Sequence, residues 1–263
     1  MKKLKKLVVA VTLLALAVTG LSGCKSDDKN SGTSGTLNIG VTSFADTLEP
    51  TEQYFSWVIM RYGIGETLVK FNNEMGAEPW LAESWTLGSD NLTWTLKIRE
   101  GVKFSNGTPL TAELVKASLE RTFQMNKRAG SDFFQYDTLT VEGSNLMIKT
   151  KTPTPGLPGC LADPLFLIVD TTVDTTKFAA EGPICTGPYA VKSFDKEKCV
   201  VARNEHYWDG EVPYNEVNLQ VIDDANTRAM ALQSGEVDMA VNISSSDLTF
   251  FDGNDQFDIN RIA

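Results

Sequence analysis

Residues 80–110 read W-L-A-E-S-W-T-L-G-S-D-N-L-T-W-T-L-K-I-R-E-G-V-K-F-S-N-G-T-P-L. Within them Leu92 to Arg99 alternates cleanly, so Leu92, Trp94, Leu96 and Ile98 share one face of a strand and Thr93, Thr95, Lys97 and Arg99 the other. Ser105-Asn106-Gly107 then turns the chain. Beyond the turn, Thr111 is placed to cap a helix in which Val115, Leu119 and Phe123 recur at i, i+4 and i+8 as one apolar stripe. A strand, a turn and a capped amphipathic helix in sequence call for a mixed α/β fold. The three tryptophans serve no recognisable catalytic pattern.

The same logic extends outward in both directions. Thr36 to Thr42 reads as a first strand and Tyr54 to Lys70 as a helix. After the capped helix, Leu139 to Thr150 reads as a hairpin around Gly143-Ser144-Asn145, and Leu165 to Val169 as an apolar strand behind Pro153, Pro155 and Pro158. A second hairpin pairs Tyr189–Phe194 with Cys199–Arg203. Val217–Ile222, Asn226–Ser234 stopped by Gly235, and Val237–Val241 then read as strand, helix and strand.

The first residues are of a different kind. M-K-K-L-K-K leads into an apolar run too short for a comfortable membrane span, as in a secretory signal of residues 1–23. It closes on Leu21-Ser22-Gly23-Cys24, which resembles a bacterial lipobox and marks Cys24 for lipid attachment. Residues 24–35 are small and polar, with nothing to bury, and read as a flexible tether. Removing residues 1–23 takes four lysines and no acid, moving the formal charge from −10 to −14, which argues against nucleic acid as a partner.

Three cysteines remain for an oxidising compartment: Cys160, Cys185 and Cys199. One disulfide, with Cys160–Cys185 as the candidate pair, and buried free thiols are both open. A zinc site is disfavoured, because no C-x-x-C occurs and His206 is the single histidine. Ser193-Phe-Asp-Lys196 matches S-x-x-K, but in a hairpin and without companion motifs. Without a phosphate loop, a His-Glu metal motif or a Ser/His/Asp set, no enzyme and no cofactor is expected.

E-P-W-L-A-E-S-W, T-W-T-L-K-I-R-E-G-V-K-F-S-N-G-T-P-L-T-A-E, T-G-P-Y and V-A-R-N-E-H-Y-W, in that order, resemble the family 5 extracellular solute-binding proteins, the peptide- and nickel-binding lipoproteins of ABC importers. The resemblance implies a periplasmic-binding-protein-like lobe. Residues 36–65 and 178–263 would form its main subdomain and 66–177 an inserted β-rich subdomain, in which Trp80, Trp85 and Trp94 are scaffold. A second lobe, present in the family, is missing from this sequence. Where the family has Gly-Thr-Gly-Pro-Tyr, this chain has Cys185-Thr186-Gly187-Pro188-Tyr189, a side chain where backbone passes tightly.

The resemblance further implies a monomeric, lipid-anchored, extracytoplasmic protein that captures an oligopeptide or a metal chelate and passes it to ABC permease subunits. A lone-lobe surface adaptor or sensor, or an inactive truncated product, is the other reading. A peptide cleft needs aromatic walls and a few fixed charges. Tyr54, Trp57, Arg128, Phe133, Phe134, Tyr136 and Asp163 are the candidate wall. Some also have a structural reading: Trp57 and Phe134 as core, Arg128 as a helix-end charge, Asp163 as a turn former.

Overall fold

Strand β1 (Thr36–Val41) is followed by helix α1 (Phe55–Arg61), the short strands β2 (Val69–Phe71) and β3 (Ala77–Pro79), then β4 (Ala82–Leu87) and β5 (Thr93–Ile98). Helix α2 (Ala112–Met125) and the hairpin of β6 (Tyr136–Glu142) and β7 (Asn145–Thr150) come next. Two single turns, α3 (Leu157–Cys160) and α4 (Phe178–Glu181), precede the hairpin of β8 (Tyr189–Phe194) and β9 (Lys198–Arg203). Strand β10 (Glu216–Val221), helix α5 (Ala225–Ser234) and strand β11 (Met239–Ala240) complete the order. The structure is a computed structural model describing residues 35–260; the expected signal segment, the tether up to residue 34 and Cys24 lie outside the described residues.

Strands β4, β5, β7 and β6 form an antiparallel sheet in that order. The alternation of β5 sends Trp94, Leu96 and Ile98 into a core shared with Leu146 and Ile148 of β7 and with Val115 and Leu119 of α2. Each fully buried aliphatic side chain there is worth about 1.5–3 kcal/mol. Trp94 keeps its one polar atom satisfied by donating its indole N–H to the Thr154 carbonyl at 3.1 Å. Helix α2 begins where its cap requires, with the Thr111 hydroxyl accepting from the Leu114 amide at 3.2 Å.

The second sheet has the order β11-β1-β10-β9-β8. Strand β1 runs parallel to β10 on one side and to β11 on the other, while β9 is antiparallel to both β8 and β10. Its core draws on Ile39, Val41, Leu48, Ile59, Ile64, Val201, Val217 and Leu219. Gly235 ends α5 in the left-handed conformation. Among the described residues no helix is long and apolar enough to cross a membrane.

Four expectations are corrected. The helix expected over Tyr54–Lys70 covers only Phe55–Arg61, because Gly63 turns the chain at φ +72° and Gly65 passes so close to Leu167 that a β-carbon would meet it at 3.2 Å. The apolar run Leu165–Val169 is no strand. Pro164–Phe166 makes a 3₁₀ turn, and the amides that come after it find isolated acceptors: Ile168 on the Glu66 carbonyl at 2.8 Å and Val169 on the Ser118 hydroxyl at 3.0 Å. The last strand shrinks to Met239–Ala240.

The cysteines supply the fourth. Cys160, Cys185 and Cys199 are all free, so the Cys160–Cys185 bridge is not formed and the free-thiol alternative stands. Cys185 is accommodated as a core side chain, 1% exposed. The tight passage falls instead at Gly187, where a β-carbon would collide with the Gly63 carbonyl oxygen and sit 2.7 Å from that of Ile64.

Candidate functional site

The loop after β1 is shaped by a buried ion pair. Leu48 is sealed in the second core and its amide donates to the Ala179 carbonyl at 3.0 Å, which brings Glu49 against α2. There Arg121 grips the carboxylate with both terminal nitrogens, Nη1 to Oε1 at 2.9 Å and Nη2 to Oε2 at 2.7 Å. Thr51 adds its amide at 3.0 Å and its hydroxyl at 2.5 Å to Oε1. Burial alone would raise the Glu49 pKa, but the donors and positive charge of Arg121 and the donors of Thr51 outweigh it and hold the group below its ordinary value.

This pair reaches the surface through hydrogen bonds. Asn126, just past α2, donates its side-chain amide to the Thr51 carbonyl at 2.8 Å and accepts from the Arg128 amide at 2.9 Å. The loop and the end of α2 are thereby stitched together. The outcome is that the Arg128 guanidinium lies 4.5 Å from the centre of the Tyr54 ring, while its Nε donates to Asp132 Oδ2 at 2.9 Å. Tyr54 is 62% exposed and Trp57, about one helical turn on, 47%. An open aromatic face with a cation held on it can stack flat groups and offer its remaining N–H donors to a carboxylate.

The ends of the parallel strands are tied by a second device. Arg228 in α5 is 1% exposed and lies against Gly40 of β1. It donates to four main-chain carbonyls: Val241 at 2.7 Å, Ile222 at 2.5 Å, Asp223 at 3.0 Å and Asn242 at 2.6 Å. All four lie just past the ends of β10 and β11, at the carboxyl edge where open α/β sheets bind ligands.

Of the sequence-derived wall, the structure brings Tyr54 and Arg128 together and leaves Trp57 exposed beside them. Phe134 is corrected to core. It is 4% exposed and stacks on Phe166 at 5.5 Å, with Phe123 edge-on at 5.1 Å. Phe133 packs edge-on to Phe166 at 5.2 Å and Tyr136 to Phe123 at 4.8 Å, so both are committed to the same cluster. Asp163 caps the 3₁₀ turn, its carboxylate accepting from the Leu165 amide at 2.9 Å. The aromatics clustered in sequence after Arg128 are the edge of a core.

Sequence reasoning misses Glu49, Arg121 and Arg228. The period of α2 leaves Arg121 off the apolar stripe, with no hint that a distant carboxylate covers it. Among the described residues no three His, Cys, Asp or Glu side chains form a group that could hold a metal ion.

Residues 76–263 match the profile of the bacterial extracellular solute-binding proteins, family 5 Middle. The nickel-binding protein NikA of Staphylococcus aureus is 30% identical over 250 residues, which is 93% of this chain and 48% of that protein. The glutathione-binding protein GsiB of Shigella flexneri is 30% identical over 200 residues, 73% of this chain and 39% of that protein. The crystal structure of Staphylococcus aureus NikA in complex with Ni(L-His)2 superimposes with a TM-score of 0.75 at 27% identity, over 84% of this chain and 46% of the other. The chain thus spans less than half the length of these relatives, and its fold is a periplasmic-binding-protein-like lobe. The chain belongs to the bacterial extracellular solute-binding proteins, family 5.

Proposed function

We propose that the chain is the capturing component of an ABC importer, taking a small carboxylate-bearing ligand outside the membrane, a peptide or an amino-acid chelate of nickel, and delivering it to the permease. The observation that carries this is the Arg128 guanidinium held on the exposed Tyr54 ring beside Trp57. The proteins it resembles are named for nickel and glutathione, and a chelate with histidine, glutathione and a peptide terminus all present carboxylates. In this reading residues 66–177 are an inserted unit on the five-stranded sheet, a division supported by the two separate cores. The protein acts as a monomer and is held at the membrane by lipid on Cys24. Its work is binding rather than catalysis.

With this aromatic face open to solvent, polar contacts are screened and binding is expected to be weak, about millimolar. Calorimetric titration with Ni(II)–L-histidine, glutathione and a tetrapeptide tests the site. Arg128→Met is expected to weaken binding of the preferred probe at least about tenfold, while urea stability changes by less than about 1 kcal/mol. Equal binding by the wild type and Arg128→Met would remove this face from consideration. For the anchor, Cys24→Ala is expected to abolish partition of the processed protein into the detergent phase, and unchanged partition would sink the lipid assignment.

A further inference from the structure

Two of the spaced sequence segments converge on one carboxyl group. Glu66 comes after the turn that ends α1, Thr186 belongs to the C-T-G-P-Y segment and Trp208 to N-E-H-Y-W. Glu66 is 0% exposed. Its Oε2 accepts from the Thr186 hydroxyl at 2.6 Å and from the Trp208 indole N–H at 3.0 Å. Its Oε1, equally sealed, meets no donor in hydrogen-bonding geometry among the described residues.

The place matters as much as the group. Here the chain leaves the second core for the first and returns. The two crossings are laid against each other by Gly187 N–H to the Ile64 carbonyl at 3.2 Å and Tyr189 N–H to the Gly63 carbonyl at 3.0 Å. The Glu66 carbonyl accepts from Ile168 at 2.8 Å, and Asn204 ties the Gly187 carbonyl with its side-chain amide at 2.8 Å. Trp208 carries the Arg99 guanidinium 4.6 Å from its ring centre, and Arg99 Nε also donates to the Trp80 carbonyl at 2.9 Å. Glu66 is therefore the node through which both crossings and the Trp208 loop are held.

We propose that Glu66 is a proton-operated latch: protonated, it closes the junction between the two cores, and on ionisation it loosens that junction. An uncharged carboxyl can be buried at modest cost, whereas a carboxylate with one unpaired oxygen cannot. The charged and titratable groups facing it do not supply the missing compensation. Asp209 and Tyr207 share its surroundings and Cys185 lies close by, and none of them is a cation. Arg99 is engaged on the ring of Trp208 and on the Trp80 carbonyl. Burial accordingly raises the Glu66 pKa to about 7, against the hydrogen bonds from Thr186 and Trp208 and the nearby Tyr207 hydroxyl, which lower it, and with Asp209 adding to the rise.

The sign comes from proton counting. A folded-state pKa above the unfolded value means that the folded chain retains a proton the unfolded chain has lost, so stability falls as pH rises from the unfolded pKa to the folded one. From pH 5.5 to 8, the unfolding equilibrium constant is expected to rise about 30-fold through this one group.

The test is urea denaturation of the purified chain across that range, with hydrogen exchange at the Ile168, Gly187 and Tyr189 amides corrected for intrinsic rates. Wild type is expected to show the 30-fold rise and faster opening of those amides at pH 8, with amides of the β5–β7 ladder less affected. Glu66→Gln is expected to flatten the pH dependence to less than about threefold. Thr186→Val, which removes one donor to the carboxylate, is expected to move the transition to higher pH and keeps the test open should the glutamine variant fail to fold. A 30-fold dependence that persists in Glu66→Gln, or junction amides whose protection is the same at pH 5.5 and 8 in wild type, would overturn the latch.

Discussion

Removing one member of the Glu49–Arg121 pair should cost far more than the pair itself is worth. Their side chains are 6% and 12% exposed, so each loses most of its hydration and depends on the other. Breaking a buried pair from one side typically costs about 3–5 kcal/mol. In Arg121→Met the carboxylate keeps two donors from Thr51, which puts the loss near the lower end, about 3 kcal/mol. In Glu49→Gln the stranded guanidinium still lies 5.2 Å from the centre of the Phe178 ring, which limits the cost to about 2 kcal/mol.

Were the two independent, the double variant would lose about 5 kcal/mol; with both charges gone it should lose only about 2–3, a coupling of roughly 2–3 kcal/mol. Urea denaturation of the four proteins at pH 7 measures this. Because the folded-state pKa of Glu49 lies below its ordinary 4.5, its contribution is fully present above that value and is lost as pH falls through the folded pKa. The coupling should therefore shrink below about pH 4. Single variants each costing under about 1 kcal/mol, an additive double variant, or equal coupling at pH 3 and pH 7 would show that the pair does not hold the loop to α2.

Gly187→Ala would force a β-carbon onto the Gly63 oxygen and to within 2.7 Å of the Ile64 oxygen, both backbone atoms, so the crossings must part. A loss of at least about 3 kcal/mol is expected in urea, and one below about 1 would mean that the junction relaxes freely. Burial raises the Cys185 thiol well above its ordinary pKa and the Cys199 thiol to about 12, whereas Cys160 is only partly buried. Maleimide labelling of the native chain with peptide mapping should modify Cys160 at least about tenfold faster, and equal rates at all three would contradict the burial described.

How much of the fold was legible depends on how local the deciding interaction is. The β5 alternation, the Thr111 cap and the Gly235 stop are written within a few residues, and each appears in the structure where the sequence placed it. The α1 boundary was not legible in the same way. Its apolar residues continue past Arg61 at helical spacing, but the chain is diverted at Gly63 to meet the segment around Gly187, which lies more than a hundred residues away.

The candidate site shows the same divide. The presence of aromatic residues around Tyr54 and Tyr136, with Arg128 among them, was visible in the sequence, and with it the family and a lobe of mixed α and β. Which aromatics face solvent was not. Phe134 and Tyr54 are both large aromatics to a sequence reader, yet Phe166 arrives from a distant turn to cover the first, while the second stays open with Arg128 held on its ring. Polar partners were hidden for the same reason: Glu49 is 72 residues from Arg121 and Thr186 is 120 from Glu66. Local propensity and period determine which elements form, because those preferences act through neighbouring residues. Burial and the pairing of polar groups were decided by tertiary structure alone, since desolvation depends on everything that packs around a group.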